Sequence, residues 1–185
     1  PSTYRFIETV FDRIIEYHNE AGVPLSAVHV GGDEVPDGAW TGSEACMKIM
    51  AERGWDNIEL LKSYYIEKVL DIAESRGVKI SGWQELVMDL EDHVYERMKR
   101  SLYSVNFWHT GSAHKYANDG VPVILSNMTN TYMDFAYTPD KLERGLSWGG
   151  FVDERRSFSL LPFDIYRSVR WDDDAVMRDI SALPE

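Results

Sequence analysis

Four short apolar runs, 25–30, 78–83, 102–107 and 121–126, each follow a stretch of helical character. Residues 4–20 carry Ile7, Val10, Phe11, Ile14 and Ile15 at helical spacing, with Asp12, Arg13 and Glu16 off that stripe. Gly22 suits the position after a helix end, and Pro24 blocks continuation. Residues 57–76 repeat the pattern with Ile58, Leu61, Tyr65, Val69 and Ile72, closed by Arg76 and Gly77. A shorter helix is predicted over 91–100, and a helical piece over 112–118 ends at Asn118-Asp119-Gly120. Helix and strand therefore alternate four times, which implies an α/β fold with a parallel sheet covered by helices.

A doubly wound open sheet and a (β/α)8 barrel both satisfy this alternation. No Gly-rich phosphate loop follows any strand, which weighs against the nucleotide-binding form of the open sheet. Instead the strands are followed by Asp33-Glu34, then Trp83, then Trp108, then Tyr132 with Asp134. Charged and aromatic residues at the C-terminal ends of successive parallel strands describe the catalytic face of a barrel. Four strands in 185 residues fall short of the eight strands and roughly 250 residues of a complete barrel. The expectation is a single domain over residues 1–185 that is part of a (β/α)8 TIM barrel.

Charge narrows the partners. Nineteen Lys and Arg against 31 Asp and Glu give a formal net charge of −12, so nucleic acid and anionic membrane surfaces are disfavoured. A neutral or weakly charged ligand meets no such penalty. One cysteine, Cys46, excludes an internal disulfide framework and a Cys-based zinc site. No apolar run reaches transmembrane length. The opening PSTYRFIETV is too polar and acidic for a signal peptide and reads as the interior of a longer sequence.

The stretch with most chemistry is HVGGDE, residues 29–34. Two adjacent carboxylates repel, and on an extended segment neighbouring side chains point in different directions. Asp33 and Glu34 are thus poorly suited to act as a pair of carboxylates facing each other across one scissile bond. Asp-Glu after a strand is also compatible with a helix N-cap or a solvated loop. A Trp after a strand is often plain packing, and Tyr132 with Asp134 can be a packed ring beside an exposed acid. His29 reads as structural. A metal site of His29, Asp33 and Glu34 lacks convincing further ligands. Glu85, placed opposite Glu34, would permit a conventional nucleophile.

HVGGDE resembles the His-X-Gly-Gly-Asp-Glu signature of glycoside hydrolase family 20, the β-N-acetylhexosaminidases. SGWQE resembles the family's Gly-Trp-acidic segment after the fifth strand and VNFW the end of the sixth. TYMD resembles the Tyr-X-Asp pair after the seventh, and RGLSWGGFVDERRSF the Trp-containing loop beyond. The resemblance covers roughly residues 25–165. It implies a substrate-assisted retaining mechanism, with Glu34 as acid then base and Asp33 holding the 2-acetamido group of the substrate. It further implies that Trp83 and Trp108 wall the acetamido pocket, that Tyr132 hydrogen-bonds the acetamido oxygen, and that Asp134 holds sugar hydroxyls. Trp148 matches a less defined position of the last loop. Trp40, Trp55 and Trp171 lie outside the matched positions and are expected in the core, or in loop packing for Trp40.

By the same resemblance the chain covers about strands 4 to 7 of the barrel. An Arg after the first strand, and a Trp and Glu near the last, have no counterparts here. The expected ligand is an N-acetylhexosamine-terminated glycan or chitooligosaccharide, with no cofactor and no metal. A homodimer would cover the open barrel side, and the parent enzyme would be secreted, periplasmic or lysosomal. The competing reading is a non-catalytic, lectin-like sugar-binding module, which explains the aromatics but not Asp33-Glu34.

Overall fold

All four expected strands form, three of them shorter than the apolar runs that announce them. A computed structural model describes residues 2 to 164; Trp171, expected in the core, lies outside them. Helix α1 (Ser2–Glu20) leads to strand β1 (Ala27–His29), and α2 (Glu44–Arg53) and α3 (Ile58–Glu74) lead to β2 (Lys79–Trp83). Helix α4 (Asp92–Ser101) runs directly into β3 (Leu102–Phe107), and α5 (Ala113–Asn118) precedes β4 (Val123–Leu125). Two short helices, α6 (Met128–Thr131) and α7 (Glu154–Phe158), follow.

The strands form one parallel sheet in the order β1-β2-β3-β4. In the β1–β2 pair, Ala27, Val28 and His29 sit opposite Lys79, Ile80 and Ser81. Sequence neighbours that are also sheet neighbours, joined through helices, are the βαβ arrangement that parallel pairing requires. The outcome is consistent with part of a TIM barrel.

Two compact units meet in sequence between Val105 and Asn106. In the first, α3 supplies the core with Leu61, Ile66, Val69, Leu70 and Ile72, packed with Ile80 of β2 and Val94 and Met98 of α4. Its start is capped by Asn57, whose Oδ1 accepts the Glu59 N–H at 2.9 Å, satisfying one donor the helix leaves open. Its buried serines are paired: the Ser81 and Ser104 hydroxyls meet at 3.0 Å, and Ser63 Oγ accepts the Glu91 N–H at 3.0 Å. The expected stripe is only partly buried, since Ile58 is exposed and Tyr65 half-buried. In the second unit Phe107, Val121, Phe135, Ala136 and Val152 are buried.

Helix α2 has no counterpart among the predicted elements. It buries only Met50, so its periodicity is weak, but Gly54 in the left-handed conformation ends it in a recognisable way. Trp55, expected in the core, is instead half-buried. Its ring lies 5.8 Å from that of Tyr64, with the Arg53 guanidinium 5.0 Å from Trp55 and 4.5 Å from Tyr64. Trp40 packs as loop material, edge to face with Tyr65 at 5.9 Å.

Helices α3 and α4 are joined by charge as well as by packing. Arg97 Nη2 donates to Glu74 Oε2 at 2.6 Å and to Asp71 Oδ1 at 2.8 Å. The Arg97 hydrogen bond holds the Glu74 carboxyl below its ordinary value of 4.5. A carboxyl depressed in the folded state stabilises above its unfolded value and loses that contribution as pH falls through the folded one. Arg97→Gln is therefore expected to cost about 0.5–1 kcal/mol at neutral pH, with the difference from the natural protein shrinking as pH drops below 4.5. Denaturant unfolding at a series of pH values measures it. Ile80→Ala, at a position with no exposed surface, is expected to cost about 2–5 kcal/mol at all pH values in the same assay.

Candidate active site

In the first unit the chain leaves β1 through two glycines. The pairing continues one residue past the strand, with the Val30 N–H on the Ser81 carbonyl at 2.9 Å, and Trp83 then donates to the Gly31 carbonyl at 2.9 Å. Gly31 and Gly32 have φ of 72° and 100°, a region that residues with a Cβ enter only at a cost. Space matters as well. A Cβ on Gly32 would lie 3.2 Å from Leu86 Cβ, and one on Gly82 would lie 2.5 Å from Leu86 Cδ2 and 2.7 Å from the Gly31 carbonyl oxygen. Leu86, almost fully buried, occupies the room these glycines leave.

Asp33 and Glu34 follow, both exposed. Glu34 has φ of 42°, so the segment is not extended there, contrary to the sequence-based expectation. A non-glycine residue in the left-handed region costs roughly 1–2 kcal/mol, and such strain concentrates at functional sites. His29 Nδ1 accepts the Gly31 N–H at 3.3 Å, and its ring stands edge to face with Trp83 at 5.6 Å. The histidine is thus a brace between the glycine turn and Trp83, as expected of a structural residue.

Trp83 ends β2, and a single 3-10 turn, Gln84–Leu86, follows. This turn is fastened to α3 by Lys62, whose half-buried ammonium donates to the carbonyls of Glu85 at 2.8 Å and Met88 at 2.6 Å. Burial lowers the Lys62 pKa, opposed by Asp89, Glu85 and Glu59. Glu34, Glu85 and Lys62 line one cavity of about 560 Å3, walled in part by Trp40 and Tyr65. Glu34 and Glu85 therefore face a common space within this unit.

The second unit gathers three of the expected aromatics. Trp108 lies just beyond β3, its carbonyl accepting the Met128 N–H at 3.0 Å. Its ring stands edge to face with Trp148 at 6.2 Å. Tyr132, immediately after α6, is 6.3 Å from Trp148 and 5.8 Å from Phe135. Trp148 itself is exposed but rests edge-on against buried Phe135 at 4.9 Å. The loop bearing Trp148 is laced to residues 134–136: Leu146 donates to the Asp134 carbonyl and Ala136 to the Leu146 carbonyl, both at 2.8 Å. Gly145 permits that approach, because a Cβ there would sit 2.5 Å from the Ala136 nitrogen. Asp134 is exposed, and what it contributes to the lacing is its backbone.

The structure thus assembles Asp33, Glu34 and Trp83 around the glycine turn of one unit, and Trp108, Tyr132 and Trp148 in the other. Several supporting residues escaped the sequence reading: Leu86, Lys62, Phe135 and the buried amides Asn127 and Asn130. Only the polar run SNMTNT directly before Tyr132 gave a signal for the last two.

Comparison with known proteins places the chain in a family. The sequence profile described as Glycosyl hydrolase family 20, catalytic domain, matches residues 1–176. A β-hexosaminidase of Vibrio vulnificus is 30% identical over 191 aligned residues, covering 98% of this chain and 22% of that protein. β-Hexosaminidase B of Pseudoalteromonas piscicida is 30% identical over 165, covering 87% and 21%. The crystal structure of a GH20 exo-β-N-acetylglucosaminidase from Vibrio harveyi, in complex with N-acetylglucosamine, superposes with a TM-score of 0.70 at 25% identity. That match covers 96% of this chain and 26% of the other. The chain therefore spans about a fifth to a quarter of the length of the relatives it matches, and it belongs to glycosyl hydrolase family 20.

Proposed function

We propose that the protein carrying this chain is an exo-β-N-acetylhexosaminidase, hydrolysing terminal β-linked N-acetylglucosamine or N-acetylgalactosamine with retention. The observation that carries the reading is the glycine turn that ends β1 and presents Asp33 and the strained Glu34 to solvent, in a chain of this family. A lectin-like module would use the aromatics but has no need of a carboxylate held in the left-handed region.

In the proposed reaction the carbonyl oxygen of the 2-acetamido group attacks C1 while the bond from C1 to the leaving oxygen breaks. Glu34 gives its proton to that oxygen. Asp33 accepts the acetamido N–H and stabilises positive charge on the resulting oxazolinium ion. Water then attacks C1 and gives up a proton to Glu34, and the ring reopens with the original configuration. Trp83 and Trp108 wall the acetamido group, Tyr132 hydrogen-bonds its oxygen, Asp134 holds sugar hydroxyls and Trp148 offers an exposed ring face. The substrate would be a glycan or chitooligosaccharide ending in an N-acetylhexosamine.

We further assign β1 to β4 as the fourth to seventh strands of a (β/α)8 barrel, with residues 1–185 belonging to one catalytic domain. Among the described residues the outer strands of the sheet each have one neighbour, and unpaired edges seek pairing. A second copy of the chain would cover them when it is produced alone.

Glu34→Gln is expected to lower turnover of the intact natural protein by about 10²-fold or more, measured with a chromogenic N-acetylglucosaminide; unchanged activity would remove Glu34 from the mechanism. A thiazoline mimic of the oxazolinium ion should inhibit tightly, whereas a fluorosugar trapped covalently on Glu85 would establish a conventional nucleophile. Residues 1–185 produced alone are expected to turn over poorly. A rate of about 1 to 10³ per second from that piece would show its site to be complete.

A further inference from the structure

Asn130, the third residue of α6, has no exposed surface. An amide so buried has to place its donors and its acceptor within the protein. Its Oδ1 accepts from Asn127 Nδ2 and from the Thr129 hydroxyl. Its Nδ2 donates to the Arg156 carbonyl at 2.6 Å and to Ser159 Oγ at 3.3 Å. A carbonyl can only accept, so the nitrogen must face Arg156 and the amide has one workable orientation. Arg156 returns the connection, donating Nε to the Thr129 carbonyl at 3.1 Å. Side chain to backbone in both directions, α6 is stitched to α7.

Tyr132 follows α6 without an intervening residue, and its N–H bonds the Met128 carbonyl at 3.3 Å. Where α6 sits therefore bears on where the Tyr132 ring sits, and Asn130 is the buried side chain of α6 that ties it to α7. We propose that Asn130 is a positioning residue, holding the Tyr132 hydroxyl where it meets the acetamido oxygen of the substrate. This rests on the reading that Tyr132 makes that contact. A buried amide that served stability alone would show no link to Tyr132 in turnover.

A double-mutant cycle in the intact natural protein decides between these, reading kcat on a chromogenic N-acetylglucosaminide and thermal unfolding in parallel. Asn130→Ser is expected to lower kcat by about 10- to 100-fold, the scale of a misplaced reacting group. In the Tyr132→Phe background the same substitution should lower kcat little further, because the hydroxyl it positions is gone. An equal fold-loss in both backgrounds overturns the proposal, as does an Asn130→Ser protein that melts earlier but keeps its kcat. Should Asn130→Ser fail to fold, Ser159→Ala removes one acceptor of the amide and enters the same cycle. Its smaller loss must also vanish beside Tyr132→Phe, and persistence of that loss overturns the proposal. A fully active Tyr132→Phe protein would instead defeat the role of Tyr132, and the proposal with it.

Discussion

Leu86 is buried in the space that Gly32 and Gly82 leave open. Its side chain would collide at 2.5 Å with a Cβ on Gly82 and press at 3.2 Å on one at Gly32. The close packing of protein interiors makes such contacts intolerant of even one added carbon. Through this one residue the turn after β2 is locked against the glycine turn after β1. The backbone bond from Trp83 to Gly31 and the edge contact of His29 with Trp83 then fall into place around it. Asp33 and Glu34 hang from the locked turn, so where these two carboxylates sit depends on a buried leucine.

A similar economy runs through both units. Loops that carry carboxylate or aromatic side chains are fastened to helices by side chains that bond backbone carbonyls. Lys62 does this for the turn after β2, and Asn130 with Arg156 does it for the segment before Tyr132. Backbone carbonyls left open at turns need donors, and helices are the rigid elements that can supply them from a fixed position. Loop conformation is thereby set from a distance.

Much of the fold was legible because its signals are local. The stripes of α1 and α3, the glycines at 22 and 77 and the apolar β2 and β3 runs follow from periodicity and backbone preference. Helix α2 was not legible, because it buries one residue and so leaves almost no stripe. Trp55 looked like core because tryptophan usually packs, but an arginine three-dimensionally stacked on it permits a half-exposed ring. The candidate site's carboxylates and aromatics were visible as residue types at strand ends. The left-handed turn at Glu34 was not, since nothing in a Glu announces positive φ. Nor were Leu86, Phe135 and Asn130, whose importance lies in contacts made far along the chain.

The conformation of Glu34 has an evolutionary side. Glycine, and to a lesser degree asparagine or aspartate, sits more comfortably in the left-handed region than glutamate does. Drift under selection for folding alone would therefore carry position 34 away from glutamate, each step relieving backbone strain. A carboxylate on a longer stem at this place is therefore held against its own backbone preference. Glycine or asparagine at this place would relieve that strain and let the protein unfold at a slightly higher temperature.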